Sequence, residues 1–391
     1  MIEKKDFSTQ KVYPGVSGNP FDVILHRFEW LQQIPLPIFG ALLYLVSVAL
    51  HGGNWINAIP LAAFWIGDLL LLAALPWTRR SFGPANPPTL LLAVMRGIFA
   101  WLPSPWFYII QSIGTILVIY AFWIEPFEIQ ITRQNFVSPN LSKSEKPLRL
   151  LHIGDLHIER LTQREIKFNA LIQDLNPDII LFSGDFLNLS YLHDERASQD
   201  VRRVVSRWIA PLGVFAVSGS PAVDLPGTLP DLLSNLPITV LENECKSFGW
   251  NGSSIHLFGL SCSHHPQRDA EILAGLNNDN LKGLKVLLYH SPDIAPDAAE
   301  LGMDLQLSGH THGGQVRLPL IGALFTGSLY GRAFQAGRYQ IQNMVLYITR
   351  GLGMEGAAAP RVRFLCKPEI TLWEINGSQE ISMASPNEKK R

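Results

Sequence analysis

Between Gly40 and Ile124 only four residues carry a charge: Asp68, Arg79, Arg80 and Arg96. A stretch that long with so little to offer water must lie in a core or a bilayer. From Glu125 onward charges are frequent. The chain therefore divides into an apolar unit and a water-facing unit, and 391 residues give length for both.

Leu36 to Leu50 and Ile56 to Leu75 are near-continuous apolar runs joined by the turn-rich His51-Gly52-Gly53-Asn54-Trp55. Each approaches the roughly 20 residues that cross a bilayer. Leu90 to Leu102 is shorter and centred on Arg96, whose insertion costs about 2.5–3.5 kcal/mol. Trp106 to Ile124 is again free of charge. We expect an all-α transmembrane region over residues 36–124 with three or four helices. The pair Arg79-Arg80 marks its loop as cytoplasmic. The parity of the crossings then fixes the side of the C-terminal unit: four leave it in the cytoplasm, and three place it outside. We adopt four, which gives an integral cell-membrane protein with a cytoplasmic soluble unit. Residues 1–35 read as a polar tail or interfacial helix, 125–146 as a proline-containing linker, 147–376 as the soluble domain and 377–391 as a polar C-terminal tail. The net charge of −1 offers nothing to attract nucleic acid. Three cysteines without a close pair form neither a disulfide framework nor a zinc-finger spacing.

In the soluble unit, short apolar strands alternate with helix-period segments, the pattern of a layered α/β domain. Strands are predicted at 148–154, 178–182, 213–217, 238–241, 254–260, 286–289, 305–307 and 345–349. Polar residues recur just beyond them: Gly154-Asp155-Leu156-His157, Ser183-Gly184-Asp185, Ser218-Gly219-Ser220-Pro221, Tyr289-His290-Ser291-Pro292 and Ser308-Gly309-His310-Thr311-His312. Sites in open α/β sheets form outside the carboxyl ends of the strands. Two imidazoles two residues apart on an extended segment point the same way and suit a metal ion. Taken singly, each residue has a plainer role, such as a helix cap for Asp155 or Asp185.

Asp155-x-His157, Gly184-Asp185, His290 and Gly309-His310-x-His312, in that order, resemble the motifs of calcineurin-like metallophosphoesterases. The Gly-His-Thr-His-Gly-Gly-Gln form (309–315), Tyr-His-Ser-Pro-Asp (289–293) and Thr-Arg-Gly-Leu-Gly (349–353) look most like the branch containing YkuE and YaeI. The resemblance covers roughly residues 147–376. It implies a four-layer α/β/β/α sandwich with two divalent metals, Mn, Fe or Zn. Asp155, His157 and His312 would hold the first, His290 and His310 the second, and Asp185 would bridge them. Asn188 would orient the site from behind, and Arg350 would face phosphate or form a surface salt bridge.

One motif departs from the family. Where its pattern reads Gly-Asn-His-Asp/Glu, this chain has Gly219-Ser220-Pro221-Ala222. The asparagine, a ligand of the second metal, and the histidine, the usual proton donor, are both missing. Asp224 is a candidate replacement ligand. His193, His264 and His265 are candidate replacement proton donors, and the plain reading of each is a surface histidine. The function expected is a membrane-anchored phosphohydrolase that uses a metal-activated water on a phosphomonoester or phosphodiester, lipid-linked esters being among the candidate substrates. The alternative is a metal-binding or regulatory protein that kept the fold and lost turnover.

Overall fold

Apolar residues along the strands decide how the layers stack. A computed structural model describes residues 2–379 apart from 8, 11, 12, 14, 17, 18 and 279. Its strands are β1 (Gln130–Ser142), β2 (Leu148–Ile153), β3 (Ile179–Phe182), β4 (Val214–Ala216), β5 (Thr239–Val240), β6 (Glu244–Trp250) and β7 (Ser253–Gly259). They continue as β8 (Leu284–Leu288), β9 (Leu305–Ser308), β10 (Arg317–Leu318), β11 (Gly322–Ala323), β12 (Gly337–Ile341), β13 (Met344–Ile348) and β14 (Glu369–Gln379). The helices are α1 (Pro20–Glu29), α2 (Leu36–Leu50), α3 (Trp55–Ala73), α4 (Asn86–Gly97), α5 (Trp106–Ile119), α6 (Gln163–Leu175), α7 (Glu195–Val205), α8 (Leu229–Leu232), α9 (Pro266–Leu276) and α10 (Ala295–Glu300).

Two six-stranded sheets form, ordered β1-β14-β2-β3-β4-β5 and β12-β13-β9-β8-β7-β6. Leu148 and Leu150 of β2 share a core with Val286 and Leu288 of β8 and with Val345 and Tyr347 of β13, so the sheets pack face to face. The alternate residues Leu151, Ile153, Ile180 and Phe182 turn outward onto Phe168 of α6 and Val201 of α7. On the second sheet, Leu287, Leu346 and Ile348 turn onto Leu273 of α9 and Ala298 of α10. The result is the four-layer α/β/β/α sandwich. β2, β3 and β4 are mutually parallel, as are β7, β8, β9 and β13. Their carboxyl ends carry the site.

Residues 125–146 are not a linker. β1 is a 13-residue edge strand, parallel to β14 and paired from Gln130↔Glu369 to Ser138↔Gly377. One face of β1, carrying Arg133, Asn135, Val137 and Pro139, is exposed, and Pro139 is tolerated because the strand lies at an edge. β14 also absorbs residues 377–379 of the expected tail, and 380–391 lie outside the described residues. The N-terminal segment is likewise not a detached tail. Ile2 and Phe7 pack against the second sheet's outer core, and Lys4 Nζ lies 2.7 Å from Asp297 and 2.9 Å from Glu300. α1 follows, exposing Val23, Ile24 and Phe28 as an interfacial helix would.

α2 to α5 form the apolar unit. Among the described residues two helices are long and apolar enough to cross a membrane, Trp55–Ala73 and Trp106–Phe127. A third would result if Val23–Gln33 and Leu36–Leu50, bent by 105°, acted as one span. Arg96 is not stranded in apolar surroundings. Its guanidinium grips Asp68 at 2.6 and 2.8 Å and also reaches Gln111 and Thr115. Pairing is what makes a buried charge tolerable. Trp101 Nε1 donates to Leu50 O at one end of the bundle. At the other end Asn86 Nδ2 donates to Leu31 O and Ile34 O, and Arg80 donates to Trp123 O. Successive helices therefore run antiparallel, and the Arg79-Arg80 loop lies at the end that meets the sandwich. There Ser81 Oγ and Phe82 N donate to Glu159, which is paired with Arg361 at 2.8 Å.

Candidate metal centre

The carboxyl-end turns hold their side chains in a backbone conformation that side-chain-bearing residues seldom adopt. Asp155, His157, Asp185, His264, His310 and His312 all have φ between 41° and 70°. Such conformations cost of order 1–3 kcal/mol each and persist where the surroundings enforce them. The enforcement here is close backbone approach. A Cβ on Gly219 would stand 2.1 Å from Asp185 Oδ1, and one on Gly309 would stand 2.7 Å from the Asp155 carboxylate. Glycine is the residue that permits both approaches.

Two groups of side chains result. Asp155, His157, Asp185 and His312 each offer a ligand atom, all within 4.8 Å of one another, and all four residues are buried. His264, His290 and His310 form the second group on the same criterion. Asp185 lies between the groups, with Oδ2 3.3 Å from His157 Nε2 and 3.3 Å from His290 Nε2. In the first group His157 Nε2 and His312 Nε2 face each other at 3.1 Å. Among the described residues Asp155 Oδ2 is buried there without a partner. Buried polar atoms are normally satisfied. A donor set of carboxylates and imidazoles with an orphaned oxygen turned inward therefore fits a divalent cation.

Charge is arranged to match. Burial pushes the Asp155 carboxyl up to about 6. Burial also opposes charge on Asp185, but the neighbouring His290 and His157 override it and hold the group well below the usual carboxylate range. Burial disfavours charge on His290, yet Asp185 raises it to about 9. His310 is lowered to about 3 by burial and by His290. Burial lowers His312 and His264 as well, assisted by their imidazole neighbours. His310, His312 and His264 are thus held as neutral imidazoles, the form that binds metal, whereas, against the effect of burial, Asp185 makes His290 and His157 hold a proton more tightly, one that a bound cation would displace.

The calcineurin-like phosphoesterase profile matches residues 148–314. The metallophosphoesterase YkuE of Bacillus subtilis is 30% identical over 266 residues, which are 66% of this chain and 90% of that protein. The chain belongs to the calcineurin-like metallophosphoesterases. It is also similar to phosphodiesterase YaeI of Escherichia coli, at 26% identity over 267 residues, 66% of this chain and 92% of that one. UDP-2,3-diacylglucosamine pyrophosphatase LpxG of Chlamydia trachomatis is 25% identical over 329 residues, 68% of this chain and 96% of that one. The chain is thus a hydrolase acting on phosphoric esters.

Other expected site residues of this metallophosphoesterase take different places. Asp224 is not aimed at the centre. Its Oδ2 accepts from Asp185 N at 2.8 Å and Gly219 N at 2.7 Å, and its Oδ1 accepts from Phe186 N at 3.1 Å. It clamps two ligand-bearing turns together, and its carboxylate is used up in doing so. Arg350 pairs with Glu369 at 3.1 Å, the salt-bridge reading of that residue. Asn188, buried, caps the turn at Ser190 and donates to Met354 O at 2.9 Å. His193 and His265 are exposed. His264 is no surface histidine, at 2% exposed. Two buried arginines that sequence reasoning misses also brace the site. Arg363 donates to the carbonyls of Arg350, Gly351 and Gly353, and Arg361 ties Glu159 to the same side of the site. Their only sequence signal is an Arg-x-Arg in an otherwise apolar loop.

Proposed function

We propose that this metallophosphoesterase is a membrane-embedded hydrolase with a dinuclear centre that cleaves a lipid-linked phosphodiester or pyrophosphate at the cytoplasmic membrane face. The observation that carries the reading is the Asp185 carboxylate, equidistant from one imidazole of each group. When bound, paired divalent ions polarise the phosphoryl group and lower the pKa of a bound water. Asp155, His157 and His312 would hold one ion, His290 and His310 the other, and Asp185 both. Gly309 and Gly219 let these groups approach. Pro221 supplies no proton to a leaving group. General acid catalysis is typically worth 10²–10⁴-fold, so a leaving group stable without a proton, such as a phosphate, suits the site better than an alkoxide.

Two features favour a lipid-linked substrate. The hairpin β10–β11 leaves Leu320, Ile321, Leu324 and Phe325 exposed. Its base joins Phe364, which packs on Tyr120 just beyond α5, so the hairpin adjoins the apolar unit. A cavity of about 120 Å³ beside His310 and His312 is lined by Phe325 of this loop and Leu25 of α1. The cytoplasmic assignment rests on the Arg79-Arg80 loop lying against the sandwich, combined with the positive-inside rule. The relative named as a UDP-2,3-diacylglucosamine pyrophosphatase points to the same class of molecule.

The test uses the full chain in detergent micelles or vesicles with Mn²⁺, assayed on a diacylated sugar nucleotide and on a water-soluble phosphodiester. Turnover of both should vanish in Asp185→Asn. Leu320→Ser with Ile321→Ser should lose about tenfold or more on the lipid substrate alone, an apolar-contact loss of some 1.4 kcal/mol. Equal losses on both substrates would refute the lipid route, and no metal-dependent turnover on either would leave only a metal-binding protein. A reporter fused at the C terminus reads sidedness.

A further inference from the structure

Resting on the dinuclear reading, we propose that His264 is the third protein ligand of the second metal, replacing the side chain that Ser220 cannot supply. Two ring nitrogens of that half are already committed. His290 Nδ1 lies 2.7 Å from Ser183 O, and His310 Nε2 lies 3.0 Å from Gly327 O. Carbonyls accept, so these nitrogens carry the hydrogens and the opposite nitrogens face inward as potential ligands. His290 Nε2 and His310 Nδ1 both point at Ser220 Oγ, at 3.1 and 3.4 Å. His264 Nε2 reaches the same hydroxyl at 3.1 Å. One hydroxyl hydrogen satisfies one acceptor. Three imidazole nitrogens thus converge on one small hydroxyl, and a cation bound there in place of the proton that His290 shares with Asp185 would engage all three.

His264 has the marks of a built ligand. It is 2% exposed and its φ is +58°, within the range shared by five of the six residues that the family pattern designates. Among the described residues its Nδ1 is buried without a partner, so no other hydrogen bond among them explains the ring's position. Gly15 of the N-terminal segment backs the ring so closely that a Cβ there would lie 2.2 Å from Nε2. The neighbouring His265 is exposed, with its ring against Tyr13 instead. Ser220 is shorter than the asparagine of the family pattern, and His264 extends into the volume that its truncation leaves. The substitution changes the donor set as well as its geometry. An amide oxygen is a hard donor, whereas an imidazole favours Zn²⁺ or Co²⁺ over Mn²⁺.

The experiment strips the full chain with chelator and titrates it with Co²⁺ and with Mn²⁺, reading bound metal per chain and the Co²⁺ absorption bands. The wild type should bind two ions. His264→Ala should keep the first ion unchanged and weaken the second by about 100-fold, at the upper end for losses around a metal. Ser220→Asn combined with His264→Ala should regain the second ion and shift its preference towards Mn²⁺. Should His264→Ala fail to fold, the double variant carries the test, and a folded double variant lacking the second ion counts against the proposal. His265→Ala should match the wild type. Two ions bound to His264→Ala with wild-type affinity would overturn the assignment and leave the dinuclear reading standing. A wild type that binds fewer than two ions would overturn both.

Discussion

The two halves of the metal centre are built from the same kind of turn and differ in their donors. The first half sets two carboxylates beside His157 and His312, and every donor comes from a motif at a strand end. The second half gathers three imidazoles, one of them from His264, five residues beyond the end of β7. The first half stores an orphaned acidic oxygen on Asp155. The second gathers three imidazole nitrogens around the Ser220 hydroxyl. A metal position is thus specified by convergence of donors, and the turn that supplies a donor is exchangeable when another turn reaches the same point.

The largest effect should come from the carboxylate common to both halves. On the dinuclear reading proposed above, Asp185→Asn weakens the ligand of two ions at once, and it removes the negative charge that sustains His290. Turnover should fall by at least about 10³-fold, some 4 kcal/mol of barrier, and metal content should drop in both halves. Loss of only one ion would break the comparison by making Asp185 the property of a single half. The next effect belongs to Asp224, which holds the turns of Asp185 and Gly219 together through three backbone N–H donors. In Asp224→Asn the amide presents N–H groups to N–H groups. One or two donors lose their acceptor, at about 1–3 kcal/mol each. Thermal unfolding of the metal-stripped protein should shift down by several degrees. An unchanged melting temperature would mean that the clamp is dispensable.

Asp155, His157, Asp185, His290, His310 and His312 are legible in the sequence because each follows an apolar strand directly, so that topology alone brings them together. His264 is visible there only as one of two adjacent histidines. Burial and backbone conformation separate it from His265, and both are set by contacts with Gly15, Ser220 and His310, remote in sequence. Asp224 looks like a spare ligand because the sequence does not say that three backbone amides will claim its oxygens. Arg350 is ambiguous for want of Glu369, whose position depends on β14 crossing back between β1 and β2. β1 itself hides behind its own polarity, since an edge strand with one wet face carries little apolar signal.

A finer separation of the halves comes from an acid under one of them. Asp293 follows His290 in the same turn and accepts from Ser328 Oγ at 2.5 Å and Leu329 N at 3.1 Å. The adjoining Gly327 carbonyl takes the hydrogen of His310. Asp293 therefore fixes the loop that sets one imidazole of the second half. Burial raises its carboxyl to about 6, above an unfolded value near 3.9. Between those values the folded protein binds the proton more tightly, so stability declines as pH rises from about 4 to about 6, by at most roughly 3 kcal/mol. Asp293→Asn has no such proton to lose. Its melting temperature relative to the wild type should rise between pH 4 and pH 7, by up to about 6–12 °C at 2–4 °C per kcal/mol. A gap independent of pH would show that the hydrogen bonds from Ser328 and Leu329, and not the ionisation of Asp293, govern the loop beneath the second half.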